Sequence, residues 1–244
     1  MSFPPPAILF EDRHLLVIDK PHGVLSHPNP KDPTGDAAPR CAFEGRYDFD
    51  AKCFHSPAGL IWLIHRLDQD TSGVLLAAKD AASANACRRA FEEDQVRKTY
   101  LALVRGGGFK PEGVWLDHLT TQRQKNKVRT TVDKTRRPNA ESRFKLLGYS
   151  EAQRLSLLEI SLVTGKTHQI RVQSASRQHP LAGDDVYGDF EMNRRLRKDL
   201  GLKRLFLHAA QLQVLHPATK QVLTIDAPLP QALKEPLAAA GLVD

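Results

Sequence analysis

Short apolar runs cut apart by Pro, Gly and Asp limit what this chain can fold into more than any other feature. Residues 7–10, 14–19, 74–78, 98–105, 205–215 and 221–226 read as strands, and residues 144–163 as two more joined near 148–152. Along 98–105, Tyr100, Ala102 and Val104 point one way and Thr99, Leu101 and Leu103 the other, the period-two pattern of a strand. Helical spacing is confined to three places. Asp80 caps a helix reaching about residue 94, with Ala84, Cys87, Ala90 and Phe91 on one stripe; a second starts near Thr167; a short third covers 230–239. Residues 26–56, rich in Pro, Gly, Asp and Ala, read as a long loop with little regular structure, of the kind that is functional or mobile. Strand runs outnumber helices and do not alternate with them, so the expected class is α+β rather than doubly wound α/β, as one domain across residues 1–244.

With 41% hydrophobic and 26% charged residues, the 244-residue chain can bury a proper core. No apolar window is long enough to cross a membrane as a helix, and Met-Ser-Phe-Pro-Pro-Pro matches neither a secretory signal nor a transit peptide, so the cytoplasm is the expected location. Cys41, Cys53 and Cys87 lack C-x-x-C spacing and read as reduced thiols. The histidines offer no metal-binding spacing. Gly165-Lys166-Thr167 resembles the end of a P-loop, but Ile160 stands where that motif needs glycine. Gly106-Gly107-Gly108 reads as a flexible turn ahead of a phosphate cradle.

The net charge of +7 is segregated. Residues 119–147 carry nine basic side chains, among them Arg123, Lys125, Lys127 and Arg129, against two acidic ones. Residues 194–204 carry six, including Arg194, Arg195 and Arg197, against one. Clustering of this kind suits a phosphate-rich partner, because clustered cations release condensed counterions on binding; a pair of solvated basic loops has the same composition.

The richest chemistry lies in His65-Arg66-Leu67-Asp68-Gln69-Asp70-Thr71-Ser72-Gly73, a polar stretch between two apolar runs. Taken alone, it is equally the pattern of a surface turn with a structural ion pair. Its companions are Val17-Ile18-Asp19-Lys20-Pro21-His22-Gly23, Lys98-Thr99-Tyr100, Thr164 to Arg171, His179-Pro180-Leu181-Ala182-Gly183-Asp184 and Leu205 to Ala209. In this order the six blocks resemble the motifs of the RluA family of pseudouridine synthases.

The resemblance implies a mixed, mainly antiparallel sheet with a central RNA-binding cleft, and no separate N-terminal RNA-binding domain, since Lys20 already belongs to the first motif. It implies isomerisation of a uridine in RNA without metal or cofactor, Asp68 being the catalytic aspartate, Arg171 its basic partner and Tyr100 the active-site tyrosine. A carboxylate suits the reaction because breaking a glycosidic bond builds positive charge at C1′. Capture of C1′ by Asp68 and a glycal-type route with Asp68 as base are both compatible with the sequence. The uridine must be flipped out to be reached, and Arg66 is the residue implied to fill the gap or grip the RNA. Leu207 is expected to pack under the base. Lys20, Arg123, Lys125, Lys127, Arg129, Arg194, Arg195 and Arg197 are expected to contact RNA. The partner is structured RNA, with ribosomal RNA of the large subunit ahead of tRNA, and the protein is expected to act as a monomer without an obligate protein partner. A non-catalytic RNA-binding or RNA-folding protein of the same fold is the other class. Lys166 and Gln173 depart from the family's more usual Arg and His, which bears on the target. Arg171→Ala is expected to lower turnover with little loss of stability.

Overall fold

The computed structural model describes residues 5–30, 32, 40–124 and 127–242. In chain order they form β1 (Ala7–Glu11), β2 (Leu15–Lys20), β3 (Arg46–Asp48), β4 (Cys53–Ser56), β5 (Gly59–Leu63), β6 (Ser72–Ala78) and α1 (Ala81–Glu92). There follow β7 (Arg97–Arg105), β8 (Glu112–Asp117), β9 (Leu119–Gln124), β10 (Lys127–Val132), β11 (Ala140–Ser150), β12 (Leu155–Leu162), α2 (Gln169–Ser176) and α3 (Phe190–Asp199). The chain closes with β13 (Leu207–Leu215), β14 (Val222–Asp226) and α4 (Gln231–Ala239). This is a mixed α+β fold with mainly antiparallel strands. It divides into two compact units, Met1–Arg97 with Ala209–Pro228, and Lys98–His208 with Leu229–Asp244.

In the first unit β2 pairs with β1 on one edge and β6 on the other, Leu15 facing Ala78 and Lys20 facing Gly73. Every residue of β6 is buried, because its small and aliphatic side chains are covered on both faces. Val74, Leu76 and Ala78 share a core with Val17, with Ala84 and Cys87 of the α1 stripe, and with Leu212, Val214 and Ile225. Gly73 has φ of +114°, and a Cβ there would meet the Ala209 carbonyl oxygen at 2.2 Å. Its place in the Thr71-Ser72-Gly73 motif is thereby explained: only glycine lets β6 approach β13 this closely.

Residues 26–56 do not form an irregular loop throughout. Tyr47 of β3 faces Phe54 of β4, Cys53 of β4 faces Trp62 of β5, and Trp62 in turn faces Ala78, so these antiparallel strands extend the sheet beyond β6. Aromatic packing supports them, with Phe43 and Phe54 buried and their ring centroids 5.6 Å apart. So short a strand as β3 leaves no periodic trace in sequence.

In the second unit β7, β12, β11 and β8 run antiparallel, with Tyr100 facing Ile160 and Ser142 facing both Leu162 and Trp115. β8 was not foreseen there, and neither were two further features. β9 and β10 make a hairpin whose rungs include Thr121 with Thr130 and Leu119 with Val132. α3 is capped by Asp189, which accepts from the Met192 amide at 3.0 Å, and is anchored by buried Met192 and Leu196. Dense charge hid both: strand-forming Thr and Val in the hairpin alternate with Arg and Lys, and the apolar stripe of α3 is one residue wide.

Asp80 shows how local chemistry sets these boundaries. Its carboxylate accepts the Ser83 amide at 2.8 Å and the Ser83 hydroxyl at 2.7 Å, and His14 Nδ1 lies 3.1 Å away. The Ser83 amide first, then its hydroxyl, hold the Asp80 carboxyl down to about 2. A depressed pKa gives stability that is complete above the unfolded value of 3.8 and lost as pH falls toward about 2. Asp80→Ala is therefore expected to lose about 0.5–2 kcal/mol at neutral pH. In urea titrations across pH the gap from wild type should close between those two pKa values.

Candidate active site

Asp68 lies in the loop that leaves β5 and enters β6, in the first unit. Leu67 is buried, and this turns its neighbours outward, Arg66 exposed and Asp68 half-buried. Ser26 treats Leu67 as a strand partner would: its hydroxyl donates to the Leu67 carbonyl at 2.8 Å and accepts the Leu67 amide at 3.0 Å. The Asp68 carbonyl accepts the Thr71 amide at 3.1 Å, closing a tight turn behind the carboxylate. His65 accepts the Leu76 amide at Nε2 and stacks on Phe91 at 4.9 Å, fixing the other end.

Lys20, expected among the RNA-binding cations, has a different task. It is fully buried, and its Nζ donates to the carbonyls of Pro21 at 2.9 Å, Val24 at 2.7 Å and Gln69 at 3.2 Å. An ammonium has three donors and no acceptor, so it gathers carbonyls, and here it ties the turn after β2 to the Asp68 loop. The Gly23 amide adds a bond to the Gln69 carbonyl at 2.9 Å. Two motifs some forty-five residues apart thus make one structure, and Lys20 has no surface to offer a nucleic acid.

In the second unit Tyr100 is buried on β7 and Leu207 is buried at the start of β13. Arg171 on α2 is 3% exposed and Asp184 is wholly buried. Arg171 Nε reaches Asp184 Oδ2 at 2.7 Å and Nη2 reaches Oδ1 at 2.8 Å, a two-pronged pair. Burial pushes the Asp184 carboxyl up, but Arg171 and the Tyr187 and Val186 amides more than offset it, and its pKa lies below the ordinary value.

The motif from Thr164 to Arg171 builds the start of α2. The Gln169 side chain accepts from the Thr164 hydroxyl and the Lys166 amide and donates to the Glu141 carbonyl. Gln173 accepts the Ser142 hydroxyl at 2.6 Å and donates to Asp117 at 2.8 Å, fixing α2 to β11 and β8. The Gln173 side chain is fully buried with its hydrogen bonds satisfied. Tyr187 closes the set, its hydroxyl accepting the Thr130 amide at 2.9 Å and lying 2.8 Å from His168 Nδ1. Gln169, Gln173 and Tyr187 were not foreseen, since a buried hydrogen-bonding side chain and a surface one are the same letter. Asp184 lay inside a recognised motif without a role.

Arg194, Arg195 and Arg197 are exposed on α3, and Arg129 is exposed on β10. Arg123 and Lys127 belong to β9 and β10, and Lys125 lies outside the described residues. Burial pushes the Cys41 and Cys87 thiols up to about 11, so neither is a ready nucleophile at neutral pH. Among the described residues no group of three or more His, Cys, Asp or Glu could hold a metal ion, and no helix is long and apolar enough to cross a membrane.

The family model for RNA pseudouridylate synthase matches residues 14–176, taking in the Lys20 turn, the Asp68 loop, Tyr100 and Arg171. The chain belongs to this family. It is an RNA pseudouridine synthase, an isomerase acting on RNA. It is 39% identical over 237 residues to the ribosomal large subunit pseudouridine synthase C of Salmonella typhimurium, covering 93% of this chain and 67% of that protein. An uncharacterised RNA pseudouridine synthase of Bacillus subtilis is 35% identical over 235 residues, covering 93% and 70%. Among solved structures, human RNA pseudouridylate synthase domain containing 4 superposes with a TM-score of 0.70 at 26% identity, over 96% of this chain and 92% of that one.

The buried pair overturns the expectation that Arg171→Ala would spare stability. Removing either partner strands the other charge in the interior, so Arg171→Ala and Asp184→Asn are each expected to lose about 3–5 kcal/mol in urea unfolding. Arg171→Lys should restore only part of it, because an ammonium cannot reproduce the fork. Replacing both residues by apolar ones of similar volume should cost less than either single change.

Proposed function

We propose that this enzyme converts a specific uridine of large-subunit ribosomal RNA to pseudouridine, with Asp68 as the catalytic carboxylate. The observation that carries the target is the identity of 39% to a ribosomal large subunit enzyme across 93% of the chain. What supports Asp68 is its presentation: a half-buried carboxylate on a loop fixed by Lys20, Ser26 and His65 cannot relax away from an incoming sugar.

In the reaction the bond from N1 to C1′ breaks, the uracil turns while held, C5 bonds to C1′, and the proton lost from C5 is balanced by one gained at N1. Asp68 meets the positive charge that develops at C1′. Arg171, which Asp184 holds in one orientation, is the basic residue that the resemblance assigns to the reaction. Tyr100 stacks on the uracil and assists removal of the C5 proton, Leu207 packs beneath the base, and Arg66 grips the RNA where the uridine has left the stack. Arg123, Lys125, Lys127 and Arg129, and Arg194, Arg195 and Arg197 on α3, supply phosphate contacts. No cofactor takes part. The family match runs through both units, which favours one catalytic domain, working as a monomer in the cytoplasm where ribosomal RNA is found.

Pseudouridines mapped by carbodiimide labelling and primer extension in a deletion strain test the assignment. One large-subunit site should be lost, then restored by wild type and not by Asp68→Asn. Loss of a tRNA site instead would move the target, and full restoration by Asp68→Asn would remove Asp68 from the chemistry. Reversing the charges of Arg194, Arg195 and Arg197 together should weaken RNA binding and lower the slope of log affinity against log salt by roughly 2–3; an unchanged slope would take α3 off the RNA.

A further inference from the structure

Residues 26–56 carry a chain of aromatic rings, on and beside β3 and β4, that runs from the interior to the surface. Phe54 is fully buried; Tyr47 packs on it with centroids 4.8 Å apart; Phe49 meets Tyr47 edge-on at 5.1 Å and is 43% exposed. His27 stacks on Tyr47 at 5.0 Å with only 12° between the planes. A ring as large as Phe49 is left half in water on a rigid mount. Asp48 accepts the amides of Asp50 and Ala51, both at 2.9 Å, fixing the turn after β3, and Arg88 of α1 reaches the Leu63 carbonyl of β5 at 2.9 Å.

His27 joins this stack to the Asp68 loop. Arg66 Nη1, two residues before Asp68, lies 3.0 Å from His27 Nε2, and His27 Nδ1 lies 2.6 Å from the Pro28 carbonyl. A carbonyl only accepts, so Nδ1 carries the proton; a guanidinium only donates, so Nε2 offers its lone pair. Both partners thus select one neutral form of the imidazole. Burial, with the Arg66 charge adding to it, holds the His27 pKa below its ordinary value despite Asp32 nearby. The exposed guanidinium is thereby tied to the ring that stacks on Tyr47.

We propose that Phe49, Tyr47, His27 and Arg66 form a stacking platform for an unpaired nucleobase of the RNA substrate, a neighbour of the uridine that reacts, and that His27 is the positioning residue for Arg66. Exposed aromatic faces edged by arginine are how proteins hold unpaired bases, through π-stacking that tolerates any base. The proposal rests on the assignment of Asp68 to catalysis only for where the base sits along the RNA; that the platform binds a base at all stands on its own geometry.

The test is fluorescence titration of the full chain with a short oligouridylate carrying one 2-aminopurine, whose emission is quenched by stacking. Wild type should quench it. Phe49→Ala should weaken binding about 5- to 150-fold with loss of quenching, and Phe49→Tyr should retain both. His27→Ala should also weaken binding, while His27→Gln, whose carbonyl can accept from Arg66, should recover part of it. No quenching by wild type, or equal binding and quenching by Phe49→Ala and His27→Ala, overturns the platform. Pseudouridine formation in ribosomal RNA, measured in parallel, separates the two ideas. Quenching without product leaves the platform standing and removes the ribosomal RNA assignment; product with quenching indifferent to these variants does the reverse.

Discussion

A fully buried ammonium governs the shape of the Asp68 loop. The bonds of Lys20 to the Pro21, Val24 and Gln69 carbonyls make one body of two segments far apart in sequence. Burying a charge is tolerated only where dipoles surround it, so the turn after β2 must present its carbonyls inward. The rest follows from that geometry. Leu67 goes inside, Asp68 and Arg66 go outside, and Gly73 lets the chain enter β6 against Ala209.

The second unit solves a related problem with the opposite economy. Arg171 is held by the Asp184 carboxylate, and that carboxylate is itself held by the Val186 and Tyr187 amides, while Asn193 accepts the Gly183 amide and donates to the Asp184 carbonyl. Such a pair adds little net stability over a well-packed apolar substitute; its value is that the guanidinium has one orientation. In both units a buried cation is held by buried acceptors on neighbouring segments.

How much of this was legible in the sequence depended on whether a residue's task is local. Strands with plain alternation, such as β7, and a helix with a textual cap, such as α1 behind Asp80, stand in the sequence nearly at their true bounds. Asp68, Tyr100 and Arg171 stand out in the sequence only because their motifs resemble a family, not through any periodicity. Lys20 was misread because composition treats every lysine as a surface charge. The packing role of Gln173 leaves no trace in sequence because its partners, Ser142 and Asp117, are far away in the chain. β3 and β4 were missed because ring-on-ring packing leaves no period, and α3 because its charged face outnumbers its apolar one.

Tyr187 carries a mechanical consequence. One phenol receives an amide of β10 and sits against His168 at the head of α2, while its ring lies 5.3 Å under the Arg171 guanidinium. The hairpin that bears Arg129 is therefore geared to the helix that bears Arg171. A displacement of either element must stretch a hydrogen bond of that phenol or carry its ring along, so the two cannot shift independently without breaking the Tyr187 contacts.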